Sequence, residues 1–320
     1  MTASFDARIQ KRLDEFEPLL ADAAVANTPY VTQAARHVIE AGGKRFRPML
    51  VFVASEFGEV SDEQRLQSAA MVMELTHVAS LYHDDVMDEA DVRRGAPSAN
   101  RFYGNSVAIL VGDFLFSQAS DMVAGLGPEF VQLQSRTFSR LVQGQIAETI
   151  GPSDDDDPLE HYLQVIADKT GSLIAASACF GAMAANASAE HIEALRSFGE
   201  EIGVVFQLSD DLIDITSEQT GKTPGTDLRE GVPTLPVLML RKKNDPADAK
   251  LLALIDGDLT DDATLAEALR QLRAHPIMDE AKAEVERHAA LARETLAPLP
   301  DGDAKAALFE VCDELVRREH

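Results

Sequence analysis

Residues 63–88 read EQRLQSAAMVMELTHVASLYHDDVMD, a run with apolar residues at three- and four-residue spacing that closes on three aspartates. The spacing predicts a helix, and the way it ends directs the reading of the rest. In a helix Asp84 and Asp88 share a face one turn apart, with Asp85 beside them. Three carboxylates in one turn repel each other unless a cation neutralises them. Hard oxygen ligands on a rigid turn suit Mg²⁺. Taken alone, such an end is more often a solvated acidic face. A second copy stands 126 residues later: Asp210-Asp211-Leu212-Ile213-Asp214 follows the apolar run Ile202 to Leu208. Two such clusters, each closing an apolar helix, are poorly explained as surface decoration. Asp84, Asp85, Asp88, Asp210, Asp211 and Asp214 are therefore the candidate metal ligands, arranged to stabilise the charge that develops on a leaving polyphosphate.

The same three- and four-residue spacing recurs through Thr32–Glu40, Ser106–Ala124, Glu129–Thr149, Leu159–Asp168, Ala189–Ile215 and Leu265–Leu296. No convincing alternating strands and no 20–50-residue repeat stand out. An all-α bundle follows, read as a single domain over residues 1–320, with Gly221 to Pro236 as its longest connection. Asp154 to Asp157, between two prolines, reads as an exposed loop without fixed geometry. Gly171 to Ala189 carries no charge over 19 residues but is mostly Ala, Ser and Gly. That composition favours a closely packed buried helix over a membrane span.

Composition sets outer limits. With 29 basic and 54 acidic side chains the formal charge is −25, which argues against a nucleic-acid surface and against a polybasic membrane patch. Aromatics are 6% with no Trp, which favours helix over sheet. Cys179 and Cys312 are too few for a disulfide framework or a zinc site and are compatible with a reducing cytoplasm. The N-terminal residues mix charge with apolar groups and lack a signal-peptide core. The expectation is a soluble, cytoplasmic protein with no transmembrane segment and no nucleic-acid partner.

Against that acidic total, the cations are concentrated. Gly42-Gly43-Lys44-Arg45-Phe46-Arg47 puts three beside a glycine pair that lets backbone approach an anion. Arg93-Arg94-Gly95 follows the first acidic cluster, Lys169-Thr170-Gly171 opens the uncharged helix, and Lys222 lies after the second acidic cluster. Each could be a plain surface cation; their placement beside glycine turns and acidic clusters is what lifts them. His77 is seven residues before Asp84 and Gln207 three before Asp210, so each falls on the acidic face of its own helix.

These residues carry a resemblance. GGKRFRP (42–48), ELTHVASLYHDDVMDEADVRRG (74–95), GNSVAILVGDFLFSQA (104–119), LVQGQIAE (141–148), DKTGSLI (168–174), FQLSDDLID (206–214) and GKTPGTDLREGVPTLP (221–236) resemble, in order, the motifs of the trans-polyprenyl diphosphate synthases. The match covers roughly residues 40–240. The resemblance implies an all-α isoprenoid-synthase-type bundle around a deep cavity, usually a homodimer, joining an allylic diphosphate to isopentenyl diphosphate. It implies that the six aspartates hold Mg²⁺, three ions per site, against the allylic diphosphate. Arg93, Lys169, Thr170, Gln207 and Lys222 would contact that diphosphate, and Lys44, Arg47, His77 and Arg94 would bind isopentenyl diphosphate. Loss of diphosphate leaves an allylic cation that the isopentenyl double bond attacks, with the released diphosphate as the base.

Product length is set below the first acidic cluster. Ser80 lies one turn below Asp84, about 6 Å deeper by helix rise, and the resemblance makes Ala79 its companion. In the family, bulky aromatics at these positions stop growth early; both here are small. The expected product is longer than farnesyl, hexaprenyl to decaprenyl, made from a farnesyl or geranylgeranyl primer. Deeper residues, on the Ser106–Ala119 helix, would decide its length. His83, beside Asp84, is read as supporting the metal ligands or as packing rather than as a ligand itself. One departure stands out: Glu230-Gly231-Val232 lacks the Lys that many relatives carry after EG, with Arg229 as the nearest replacement. The alternatives are a geranylgeranyl-length synthase, a class I terpene cyclase, which would have no use for GGKRFRP, and a non-catalytic subunit, which would typically lose one acidic cluster.

Overall fold

A computed structural model of the chain describes residues 3–216, 224–232 and 234–318. The helical reading holds: 79% of the chain is helix and 1% strand, so the class is all-α. The backbone divides into two compact units. One comprises residues 1–139, 173–196 and 298–307, the other residues 140–172, 197–297 and 308–320.

In the first unit, α1 (Ala3–Ala23), α2 (Pro29–Glu40) and α3 (Phe46–Ser55) surround α4 (Glu63–Met87). A short hairpin of β1 (Val92–Arg93) and β2 (Ala96–Pro97) leads to α5 (Ala99–Tyr103) and α6 (Asn105–Leu126). The first part of α7 (Pro128–Ile150) and most of α9 (Ser172–Ala184) complete it, with the start of α10 (Ala189–Thr216). The helix α4 is capped by Asp62, whose carboxylate accepts Gln64 and Arg65 N–H. It then buries residues on every side, including Leu66, Met73, Leu75, Val78 and Tyr82, as expected of a central helix. Tyr82 accepts Val38 N–H at 3.2 Å and donates to Ala34 C=O at 2.5 Å, tying α4 to α2. Glycine allows the closest approaches: a Cβ on Gly181 would sit 2.0 Å from Val51 C=O, and one on Gly112 would sit 2.3 Å from His83 Nε2. The second contact sets His83 against α6, with its Nε2 3.0 Å from Ile109 C=O and 3.5 Å from Asp113.

The second unit holds the end of α7, then α8 (Pro158–Ile166), a π-helical turn (Ala167–Gly171) and the rest of α10. It continues through α11 (Thr226–Glu230), α12 (Leu235–Lys243), α13 (Ala249–Ile255), α14 (Asp262–Arg273), α15 (Ile277–Thr295) and the end of α16 (Asp303–Arg317). Its core gathers Phe198, Ile202, Leu208, Leu212, Leu235, Leu272 and Val285.

Two expectations change. The helix predicted over Leu265–Leu296 is two helices, because Pro276 interrupts the ladder and His275 Nδ1 caps Ile277 N–H at 3.0 Å. The acidic run before Pro158 has fixed geometry: Asp157 caps α8 through Leu159 and Glu160 N–H and pairs with Lys242 at 2.7 Å. Asp156 holds Ser153. The Gly171–Ala189 stretch forms the buried helix α9, as expected; among the described residues the helix long and apolar enough by length and composition to cross a bilayer is α6. In this fold α6 buries Ala108, Val111, Leu115, Ala119 and Val123 and carries Asp113 and Asp121 on its exposed side.

Candidate active site

The first acidic cluster closes α4. Asp88 sits at its C-cap and donates its N–H to Asp84 C=O at 2.8 Å. The three carboxylates are not equivalent. Asp88 is exposed and Asp84 part-exposed, whereas Asp85 is fully buried. One oxygen of Asp85 accepts Arg93 Nε at 2.7 Å and Nη2 at 2.6 Å. The other is buried with no hydrogen-bond partner. Carboxylates at a helix C-terminus also face the negative end of the helix dipole. An orphaned buried carboxylate oxygen and an all-oxygen donor set at such an end fit a divalent cation. Among the described residues no group of three or more His, Cys, Asp or Glu side chains is gathered closely enough to hold a metal ion by itself.

The second cluster, near the end of α10, divides in the same way. Asp210 is exposed. Asp211 is buried; it accepts the Tyr162 hydroxyl and Leu235 N–H at 2.9 Å, so it joins α8 and α12 to α10. Burial pushes its carboxyl up to about 7 despite these hydrogen bonds, a group that a nearby cation would return to the carboxylate. Asp214 caps α11, accepting Thr226 and Asp227 N–H at 3.2 Å each. Equal spacing in sequence thus conceals two kinds of aspartate, outward and inward.

Around the Gly42-Gly43 turn the first unit assembles a cation cluster. Arg45 takes a left-handed conformation (φ 49°) at the N-cap of α3, and Arg94 does the same (φ 54°) in the β1–β2 turn. Gly43 has a φ of 155°, a conformation that side-chain-bearing residues rarely adopt, and both guanidinium groups come within 2.9 Å of where its Cβ would be. Arg94 donates to Val38 C=O at 3.0 Å and to Gly42 C=O. Arg45 forks onto Glu17 and reaches Glu74 at 3.3 Å. Arg47 keeps a buried Nε without a partner, and burial lowers its guanidinium to about 10, still a cation at neutral pH. Burial, then the charges of Arg47 and Arg94, hold His77 well below its ordinary range. Lys44 is exposed.

Arg45 and Glu74 were not among the candidate residues. Glu74 is 2% exposed and is the buried carboxylate facing Arg45, Arg47 and Arg94, with burial raising its pKa against their pull. Its position three residues before His77, on the same helix face, was the available signal.

In the second unit, Lys169 and Thr170 occupy the π-helical turn, and with Gln207 and Asp211 they line a cavity of about 240 Å³. Apolar walls come from Pro158, Val165, Ile166, Val232 and Leu238. Lys169 Nζ is 2.5 Å from Glu148. Lys222 lies outside the described residues. Arg229 pairs with Asp262 at 2.5 Å, a duty that does not replace the missing lysine, and Val232 contributes only apolar surface to the cavity. Ser80 is buried and donates to His77 C=O at 2.8 Å. Ala79 is fully buried on the face that meets Gly112 of α6.

A family model described as polyprenyl synthetase matches residues 28–272. The chain belongs to that family. It is 45% identical over 318 residues to the nonaprenyl diphosphate synthase of Mycobacterium tuberculosis, covering 99% of this chain and 95% of that one. The octaprenyl diphosphate synthase of Escherichia coli is 32% identical, over 90% of each chain. Among solved structures, the geranylgeranyl pyrophosphate synthase from Corynebacterium glutamicum, complexed with calcium and isoprenyl diphosphate, superposes with a TM-score of 0.90. It is 44% identical and covers 99% of this chain and 98% of that one. As a member of the polyprenyl synthetase family the chain is a chain-elongating prenyltransferase with the isoprenoid-synthase fold.

Proposed function

We propose that the chain condenses isopentenyl diphosphate with farnesyl or geranylgeranyl diphosphate to make a medium- or long-chain all-trans polyprenyl diphosphate. The observation that carries this reading is the presence of two anion sites of different construction. One is the arginine cluster at Gly42-Gly43; the other is the cavity of Lys169, Thr170 and Gln207. A terpene cyclase, with one diphosphate to hold, has no use for the first.

Arg47 and Arg94 hold the isopentenyl diphosphate as fork-like donors, with Lys44 at the exposed rim and neutral His77 adding a hydrogen bond without charge. Lys169, Thr170 and Gln207, with Arg93 and Lys222, take the oxygens of the allylic diphosphate. The six aspartates serve Mg²⁺, three ions per site. Asp84, Asp88 and Asp210 face outward as direct ligands, while Asp85, Asp211 and Asp214 also hold Arg93, α12 and α11 in place. Mg²⁺ held by these aspartates would stabilise the charge that develops on the departing diphosphate. Apolar walls exclude water from the allylic cation, and the released diphosphate takes the proton lost from the new chain.

Ala79 and Ser80 leave the path below Asp84 open to a growing tail. We assign the chain a homodimer, single-domain organisation and a cytoplasmic location. Phe102, Ile109 and Leu110 expose apolar surface on α5 and α6, which a second copy would cover. Both cysteines are buried and in no disulfide, in keeping with a reducing compartment.

The test is incubation with isopentenyl and farnesyl diphosphates, with and without Mg²⁺. Mg²⁺-dependent acyclic elongation is expected, and Ser80→Phe should shorten the product. Cyclic products would overturn the reading in favour of a cyclase. No product from folded, dimeric protein would overturn it in favour of a silent subunit.

A further inference from the structure

The chain from Pro158 to Ala184 is helical throughout, except that from Ala167 to Gly171 its bonds step to five residues, with Ser172 N–H reaching Ala167 C=O. A π-turn is rare and less favourable than the α-helix it interrupts, so something outside it must hold it. One guanidinium does most of this. Arg140, on α7, donates Nε to Asp168 Oδ1 at 2.8 Å and Nη2 to Ala167 C=O at 3.4 Å. The same group forks onto Glu200 of α10 at 2.5 and 3.1 Å. Gln164 takes the other oxygen of Asp168 at 2.7 Å.

The backbones meet here with no side chain between them. A Cβ on Gly144, one turn along α7 from Arg140, would lie 2.7 Å from Lys169 N. A Cβ on Gly203 would lie 2.4 Å from Gly171 Cα. Arg140 itself does not line the cavity that Lys169 and Thr170 share with Gln207 and Asp211.

We propose that Arg140 is a positioning residue, a clamp that holds the π-turn and so keeps Lys169 and Thr170 on the cavity wall. The turn inserts one extra residue. If it relaxed to an α-helix, the residues beyond the insertion would rotate by about 100°, carrying Lys169 or Thr170 off that wall. This rests on the reading above, in which those two residues hold the allylic diphosphate.

The test compares Arg140→Leu, Arg140→Lys and Gly144→Ala, with folding checked by circular dichroism. In Arg140→Leu the KM for farnesyl diphosphate should rise about tenfold or more, with the KM for isopentenyl diphosphate unchanged. Amide exchange over 168–172 should accelerate. Arg140→Lys, with a point charge in place of the fork, should recover part of the loss. Gly144→Ala, which pushes on Lys169 with every charge intact, should reproduce the selective rise. An unchanged allylic KM, an equal rise in both KM values, or unchanged exchange in folded Arg140→Leu would overturn the clamp. If the wild-type chain elongates nothing, the functional reading fails, and amide exchange alone decides the clamp: unchanged exchange overturns it and faster exchange supports it.

Discussion

Glu74 shows what one buried charge does for a binding site. Three guanidinium groups brought together without a counter-charge repel each other and carry a large desolvation cost. Glu74 offsets both, while Arg47 keeps an unpaired buried Nε for a ligand. Glu74→Gln keeps the shape and removes the charge. It should raise the KM for isopentenyl diphosphate about tenfold, because Arg45 loses its buried charged partner and the repulsion among Arg45, Arg47 and Arg94 is left uncompensated, and leave the allylic KM unchanged. Steady-state kinetics varying each substrate separately checks this; a fall in the isopentenyl KM would mean that the charge only weakens anion binding. Sequence pattern was informative for Arg47 and Arg94 because cations beside glycines stand out in an acidic chain. It was silent on Glu74, since an acid in an apolar helix looks like a solvated position until burial is known. For the same reason the spacing rule treated Asp84, Asp85 and Asp88 as equals, although only Asp85 turns inward to hold Arg93.

At the level of elements, periodicity identified α4, α6, α7 and α10 because long apolar repeats survive in any packing arrangement. It failed where a local contact overrides it. Pro276 divides one predicted helix into two, and the π-turn at Ala167–Gly171 has no composition of its own. It exists because Arg140, Gly144 and Gly203 come from distant parts of the chain. Close helix contacts are equally hidden: Gly112 reads as a weak helix residue, yet it is where α6 receives His83 of α4. Gly112→Val should destabilise the protein by about 1–3 kcal/mol through overpacking, measured by urea denaturation. Unchanged stability would show that the two helices can part without cost.

For the molecule as a whole, a charge of −25 argues against a polyanion-binding surface but not against a small diphosphate held by a few concentrated arginines. The excess acid is mostly solubilising surface around an enzyme with an apolar product. The exposed apolar groups of α5 and α6 are one departure from this. In the proposed homodimer a second copy would cover Leu110, 66% exposed, so Leu110→Glu should shift the protein towards monomer in light scattering. An unaltered mass would place the interface elsewhere. The length of the product bears on the whole account at once, because it requires both anion sites, the metals and an open path below Asp84. The decisive measurement is chromatography of the dephosphorylated products formed from farnesyl and isopentenyl diphosphates with Mg²⁺. The account predicts hexaprenyl to decaprenyl chains; products ending at geranylgeranyl would contradict the open path, and no elongation by folded protein would contradict the reaction itself.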